Sequence, residues 1–205
     1  QRHRIAGGGP AGMMLGLLLA RAGVEVLVLE KHADFLRDFR GDTIHPSTLE
    51  VLHELGLLEG FLELPHQRVP RITAQFGDLA LTVADFSTLS TRCRFVAFIP
   101  QWDFLAFLAD RAARYPTFHL RMQAEATALI TQGERVTGLR VSTPDGVIQV
   151  QADLVVGADG RHSTVRAQAG LAIEEFGAPM DVLWFRVPRN DADGDETFGV
   201  IRPGR

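Results

Sequence analysis

Apolar and polar positions change period several times along this chain, and each change marks an element. Arg4-Ile5-Ala6 opens as a short strand, and a helix is expected from Pro10 through the apolar block that follows it. Proline suits a first helical position, and Gly23 stands where a C′ glycine ends a helix. Val24 to Leu29 is an unbroken apolar, β-branched run, the pattern of a strand buried on both faces of a parallel sheet. Lys31 to His45 reads as a polar connection. Behind Pro46, the residues Leu49, Leu52 and Leu55 recur at helical spacing, so a helix is expected over 47–55, ended by Gly56. A shorter helix is expected over 57–64, and Pro65 and Pro70 bound a loop.

From there the period shortens to two. Ile72–Phe76 and Leu79–Val83 predict a hairpin around Gly77-Asp78, and Phe95–Ile99 a further strand. Gln101–Tyr115 returns to helical spacing, with Trp102, Leu105, Leu108, Ala109 and Ala112 recurring along one face. Its aromatic residues Trp102, Phe104 and Phe107 are expected in the core. A strand is predicted at Phe118–Met122. Ala124–Ile130, Arg135–Thr143 and Val147–Gln151 then read as an antiparallel meander, with Gly133-Glu134 and Pro144-Asp145-Gly146 as turns. Asp153–Ala158 is expected as a buried strand, followed by a helix near Ser163–Ala169. Met180–Val187 and Thr197–Ile201 predict strands of a new sheet. Strands alternating with helices, interrupted by antiparallel pairs, define an α/β chain: a Rossmann-like parallel sheet, a β-meander insertion and the start of a β-rich region.

Composition narrows the options. Apolar residues are 46% of 205, enough for a real core. The net charge of −4 gives no basis for nucleic acid or an anionic membrane as partner. Cys93 is the only cysteine, which fits a reducing cytoplasm. Arg21, Gly23 and Glu25 break the apolar stretch 13–29, so helix plus strand is expected there instead of a membrane span. The histidines are scattered without ligand spacing, and no metal site is expected.

Candidate chemistry sits in two stretches. Gly7, Gly9 and Gly12 spell G-x-G-x-x-G between the first strand and its helix. Each glycine has its own task in a dinucleotide fold: a tight turn, close approach of a pyrophosphate, and close helix–sheet packing. The helix N-terminus favours the phosphates, and Glu30 lies 18 positions after Gly12, near the spacing of a carboxylate that bonds a ribose hydroxyl. The plainer reading is a glycine-rich turn in an ordinary α/β protein. The second stretch is Asp159-Gly160-Arg161-His162-Ser163, delivered by an apolar strand to the sheet end where such folds bind ligands. Its plainer reading is a strand-to-helix turn, with Asp159 bonding local N–H groups and Ser163 capping the helix.

On these residues the chain resembles the FAD-dependent aromatic hydroxylases, single-component flavoprotein monooxygenases with a para-hydroxybenzoate hydroxylase-type fold. The likeness runs over essentially all of the sequence. It implies a cofactor-binding set of Gly7, Gly9, Pro10, Ala11, Gly12, Glu30, Lys31, Arg40, Gln101, Asp159 and Gly160. Gly7, Gly9 and Gly12 would hold the FAD pyrophosphate and Glu30 the adenosine ribose. Arg40 and Gln101 would hold the phosphate–ribityl region, where many relatives carry arginine instead of Gln101. Asp159 would meet the ribose–pyrophosphate side and, with Arg166, order its loop. Without the resemblance, Arg40 is a solvated charge and Gln101 a helix cap.

The resemblance also implies the organisation and the chemistry. Residues 1–70 and 100–178 would form the FAD-binding domain, 71–99 a substrate-domain hairpin, and 179–205 the start of the substrate-domain sheet. NADH or NADPH would reduce the flavin, and O₂ would supply the oxygen that hydroxylates a small aromatic substrate. Members of this family continue well beyond such a segment, with a further Gly-Asp motif followed by histidine. The chain is therefore expected to be an N-terminal portion, and the Gly41-Asp42-Thr43-Ile44-His45 string to be an accidental likeness. Competing functions stay open: an NAD-dependent dehydrogenase, which leaves Arg40, Gln101 and Asp159 without a role; a non-catalytic dinucleotide-binding fragment; and a flavin-dependent halogenase or reductase of the wider superfamily, although the sequence has no Trp-x-Trp-x-Ile-Pro string.

Overall fold

A computed structural model describes residues 2–36, 41–177, 181–183, 188, 190 and 198–202. In chain order its elements are β1 (His3–Ala6), α1 (Pro10–Arg21), β2 (Val26–Leu29), β3 (Thr43–Ile44), α2 (Pro46–Glu54), α3 (Leu58–Leu62), β4 (Gln67–Val69), β5 (Arg71–Phe76) and β6 (Leu79–Asp85). They continue with β7 (Val96–Phe98), α4 (Gln101–Ala112), β8 (Phe118–Arg121), β9 (Glu125–Gln132), β10 (Arg135–Thr143), β11 (Gly146–Gln151), β12 (Leu154–Gly157), α5 (Thr164–Gln168) and β13 (Phe198–Ile201). Two compact units result: Gln1–Leu36 with Leu105–Met180, and Arg37–Phe104 with Asp181–Arg205. Residues 37–70 thus fall in the second unit, and the division crosses α4.

The first unit is built on a parallel sheet of order β12-β1-β2-β8. Alternation along β2 explains its unbroken apolar sequence. Val28 faces α1, where Gly16 comes so close that an added Cβ would stand 2.8 Å from Val28 and 2.9 Å from Phe118. Leu29 faces the other way and packs with Ala6, Ala124, Leu139 and Val141. Those last two belong to β10, the middle strand of the antiparallel meander β11-β10-β9. Helix α1 buries Met13, Leu17 and Ala20 on the sheet, each large side chain contributing roughly 1.5–3 kcal/mol. It ends as expected: Gly23 has φ +77°, its N–H donates to the Ala20 carbonyl, and the Val24 N–H donates to Leu19.

One strand differs from expectation. The apolar run 153–158 predicts a buried β12, yet Leu154 is 51% exposed. It is the edge of its sheet, hydrogen-bonded to β1 alone among the described strands. An apolar run cannot distinguish an edge from a centre, because position in the sheet is set by non-local pairing.

The second unit holds two small sheets, β13-β5-β6 and β3-β7-β4. The β5–β6 hairpin turns at Gly77-Asp78, and β13 joins β5 in parallel, with Phe198 opposite Thr73 and Ile201 opposite Phe76. The strands β3 and β4 lie where polar connection and loop were expected. Both are too short to show a period, and both exist by pairing antiparallel with β7. Leu49, Leu52, Leu58 and Phe61 are buried, with Phe61 edge-on to Phe104 at 5.8 Å. Most of the strand expected over Met180–Val187 lies outside the described residues, and 181–183 is not a strand. No helix among the described residues is long and apolar enough to cross a membrane.

Candidate cofactor-binding site

The C-terminal ends of β1, β2 and β12 bring Gly7, Glu30 and Asp159 together in the first unit. Gly7 leaves β1 at φ +105°, and its N–H donates to the Leu29 carbonyl at 2.8 Å. A Cβ there would lie 2.5 Å from the carbonyl carbon of Ala158, so the neighbouring strand, as well as the turn, excludes a side chain. Gly12 is equally constrained: a Cβ would collide with the Gly7 carbonyl. Gly9 is different. Its backbone is extended, φ −74° and ψ −178°, and an added Cβ would meet nothing within 4 Å.

That open space lies at the start of α1, whose N-cap is Gly9 and whose first residue is Pro10. No side chain caps this helix and no acidic residue stands in its first turn. Its leading N–H groups and positive dipole end are therefore suited to an anion. Pro10 and Ala11 are exposed there. The geometry fits a pyrophosphate: the fold itself demands Gly7 and Gly12, whereas room over bare backbone is left at Gly9.

Glu30 closes β2 and is nearly inaccessible, its side chain 3% exposed. Oε2 accepts the Gly8 N–H at 2.8 Å, and Oε1 accepts the His32 N–H at 3.0 Å. His32 Nδ1 stands 2.6 Å from Oε1. Gly8 and His32 were not singled out from sequence. Gly8 is the unassigned middle of three glycines, yet a Cβ on it would stand 2.9 Å from Glu30 Oε2. The chain bends at Lys31 and His32, past the end of β2, so no alternation in the sequence marks His32 as a partner of Glu30. Lys31 between them is exposed.

Asp159 is spent locally. Its Oδ2 accepts the Val165 N–H at 3.1 Å and its Oδ1 accepts the Ser163 hydroxyl. Ser163 Oγ in turn accepts the Arg166 N–H at 3.0 Å, capping α5, and Arg166 Nη1 donates to the Arg161 carbonyl at 2.9 Å. Gly160 turns the chain at φ +87°. The aspartate, the cap and Arg166 thus order one loop at the end of β12.

Gln101 belongs to the second unit, where its N–H donates to Asp42 Oδ1 at 3.1 Å at the head of α4. Asp42 also accepts the Ile99 N–H through its carbonyl. Gly41, at φ +77°, lies against the Gln101 amide, which leaves no room for a Cβ. The Gly41-Asp42 pair therefore anchors the junction of β7 and α4. Arg40 lies outside the described residues.

Known proteins resemble this chain over most of its length. A family model described as FAD binding domain matches residues 3–198. 6-Methylpretetramide 4-monooxygenase of Streptomyces rimosus is 32% identical over 203 residues, covering 98% of this chain and 47% of that protein. The structure of OxyS anhydrotetracycline hydroxylase, also from Streptomyces rimosus, aligns with a TM-score of 0.69 at 36% identity, over 83% of this chain and 34% of that one. The p-nitrophenol 4-monooxygenase PnpA of Pseudomonas putida aligns with a TM-score of 0.73 at 25% identity, over 82% and 43%. The chain spans less than half the length of each of these relatives.

Proposed function

From a chain that belongs to the FAD-binding domain family, we propose a FAD-dependent monooxygenase that hydroxylates an aromatic substrate at the expense of NADH or NADPH. The overall reaction balances as substrate C–H, O₂, NAD(P)H and a proton giving C–OH, NAD(P)⁺ and water. Bound flavin supplies electron transfer from the nicotinamide and activation of O₂. The observation that carries the reading is the open backbone at Gly9 beside the buried Glu30, inside a family match over residues 3–198.

The chain's own residues bind and orient. Gly9 and the first turn of α1, with Pro10 and Ala11, receive the pyrophosphate. Glu30 receives the adenosine ribose, with Lys31 at its rim. Arg40 and Gln101 serve the phosphate–ribityl region, and Asp159 and Gly160 hold a loop against the nucleotide. An aromatic substrate fits the exposed apolar residues Phe76, Leu79, Leu81 and Val83 of β5 and β6. The three relatives above are named for oxygenation of 6-methylpretetramide, anhydrotetracycline and p-nitrophenol, which favours that substrate class.

The test is NAD(P)H oxidation by the flavin-loaded protein with phenolic and polycyclic aromatic compounds under isotope-labelled dioxygen. Substrate-stimulated oxidation with one labelled oxygen in the product is expected. A protein indifferent to flavin, or one that oxidises the nicotinamide without incorporating label into any such product, would overturn the proposal. Flavin indifference with reversible hydride transfer would point to the dehydrogenase reading instead.

A further inference from the structure

The carboxylate proposed for the adenosine ribose already has donors in the structure. Gly8 N–H donates to Oε2 at 2.8 Å, and His32 N–H and Nδ1 approach Oε1 at 3.0 and 2.6 Å. An ionised carboxylate only accepts, so Nδ1 carries the proton in that contact, and both lone pairs of Oε1 are engaged. Oε2 accepts the Gly8 N–H, and the Glu30 side chain as a whole is only 3% exposed. A hydroxyl that donates to Oε1 has to take the place of one of its donors.

The donors differ in how they can leave. The Gly8 and His32 N–H groups belong to backbone that the fold holds. The His32 backbone is fixed from its other end too, because its carbonyl accepts the Gln123 N–H at 2.9 Å. The imidazole is 45% exposed while Glu30 is 3% exposed. Of these three donors, the imidazole alone can depart by side-chain rotation without disturbing a strand or the glycine turn.

We propose that His32 is an internal stand-in for the ribose hydroxyl: it satisfies Glu30 in the flavin-free protein, is displaced when the nucleotide binds, and thereby sets cofactor affinity. This rests on the reading that Glu30 receives the ribose. The physical basis is competition. A ligand that must break an internal contact binds more weakly by the population that holds it closed. Meanwhile the Oε1 lone pair that the imidazole fills is never left buried without a donor, which would be costly.

The test measures dissociation constants for FAD, ADP and 2′,3′-dideoxy-ADP in the native protein and in His32→Ala, His32→Asn and Glu30→Gln. Removing the imidazole should tighten FAD and ADP about three- to tenfold, the range for a charged contact that is half exposed to solvent. Dideoxy-ADP has no hydroxyl to compete, so its affinity should not change. His32→Asn places an amide N–H near the Nδ1 position and should restore native values. Equal or weaker FAD binding by His32→Ala, or equal tightening of dideoxy-ADP, would overturn the stand-in role. Glu30→Gln separates the premise: if it binds ADP as tightly as the native protein, the ribose assignment itself fails. If Glu30→Gln weakens ADP while His32→Ala fails to tighten it, only the stand-in fails.

Discussion

Replacing Gly9 with alanine should separate a glycine kept for the ligand from one kept for the fold. Gly9 has an ordinary extended conformation, and its new methyl would meet nothing within 4 Å. As an N-cap, alanine is worse than glycine by roughly 0.5–1 kcal/mol. The stiffer unfolded chain returns about 0.4–1 kcal/mol. The flavin-free protein should therefore keep its stability to within about 0.5 kcal/mol. FAD should not bind as before, because the methyl occupies the surface that a phosphate must approach. Losing one charged hydrogen bond costs about 1.5–3 kcal/mol, or roughly 10- to 150-fold in Kd. Gly12→Ala makes the contrast. Its methyl would stand 3.1 Å from the Gly7 carbonyl carbon and collide with the oxygen, so about 1–3 kcal/mol of stability should be lost before any ligand is added. Urea denaturation of the flavin-free variants gives the first quantity, and titration of flavin fluorescence the second. The reasoning is refuted if Gly9→Ala retains native FAD affinity, or if it destabilises the fold as much as Gly12→Ala does.

Other consequences are equally direct. Ser163→Ala removes the cap on the Arg166 N–H and a hydrogen bond to Asp159, and should cost about 1–2 kcal/mol, read as faster amide exchange confined to α5 and its loop. Burial raises the Cys93 thiol above its ordinary 9.0; the native protein should resist a thiol-specific reagent at neutral pH and react stoichiometrically once unfolded. The hydrogen bond from the Arg2 N–H holds the Asp153 carboxyl below its ordinary 3.8. A depressed folded value stabilises above the unfolded one and is lost as pH falls through the folded one, so Asp153→Asn should lower the urea midpoint slightly at neutral pH and converge on the native protein below about pH 4, which flattens the acid limb of the profile.

The readable part of this protein is the part that short stretches decide for themselves. The β1–α1–β2 unit follows from an apolar start, a proline at a first helical position, a C′ glycine and a run buried on both sides. The meander follows from period-two segments separated by glycine turns. What stayed hidden is of another kind. β3 and β4 have no pattern of their own and are strands only because β7 offers its edges. The exposed edge position of β12, the contact of Gly16 with Val28 and Phe118, and the anchoring of α4 by Asp42 all join residues far apart in the chain.

The same division runs through the candidate site. That a dinucleotide turn opens the chain, with an acid at the end of the second strand, was determined by the sequence alone, because turn sterics and helix polarity act over a few residues. The tertiary structure decided which glycine is left open and which faces Ala158 or the Gly7 carbonyl. It also decided that Asp159 is committed to the α5 cap, and that Glu30 is held by Gly8 and His32. Spacing names the groups that reach a strand's end, but only packing determines which of their lone pairs and open faces are left to use.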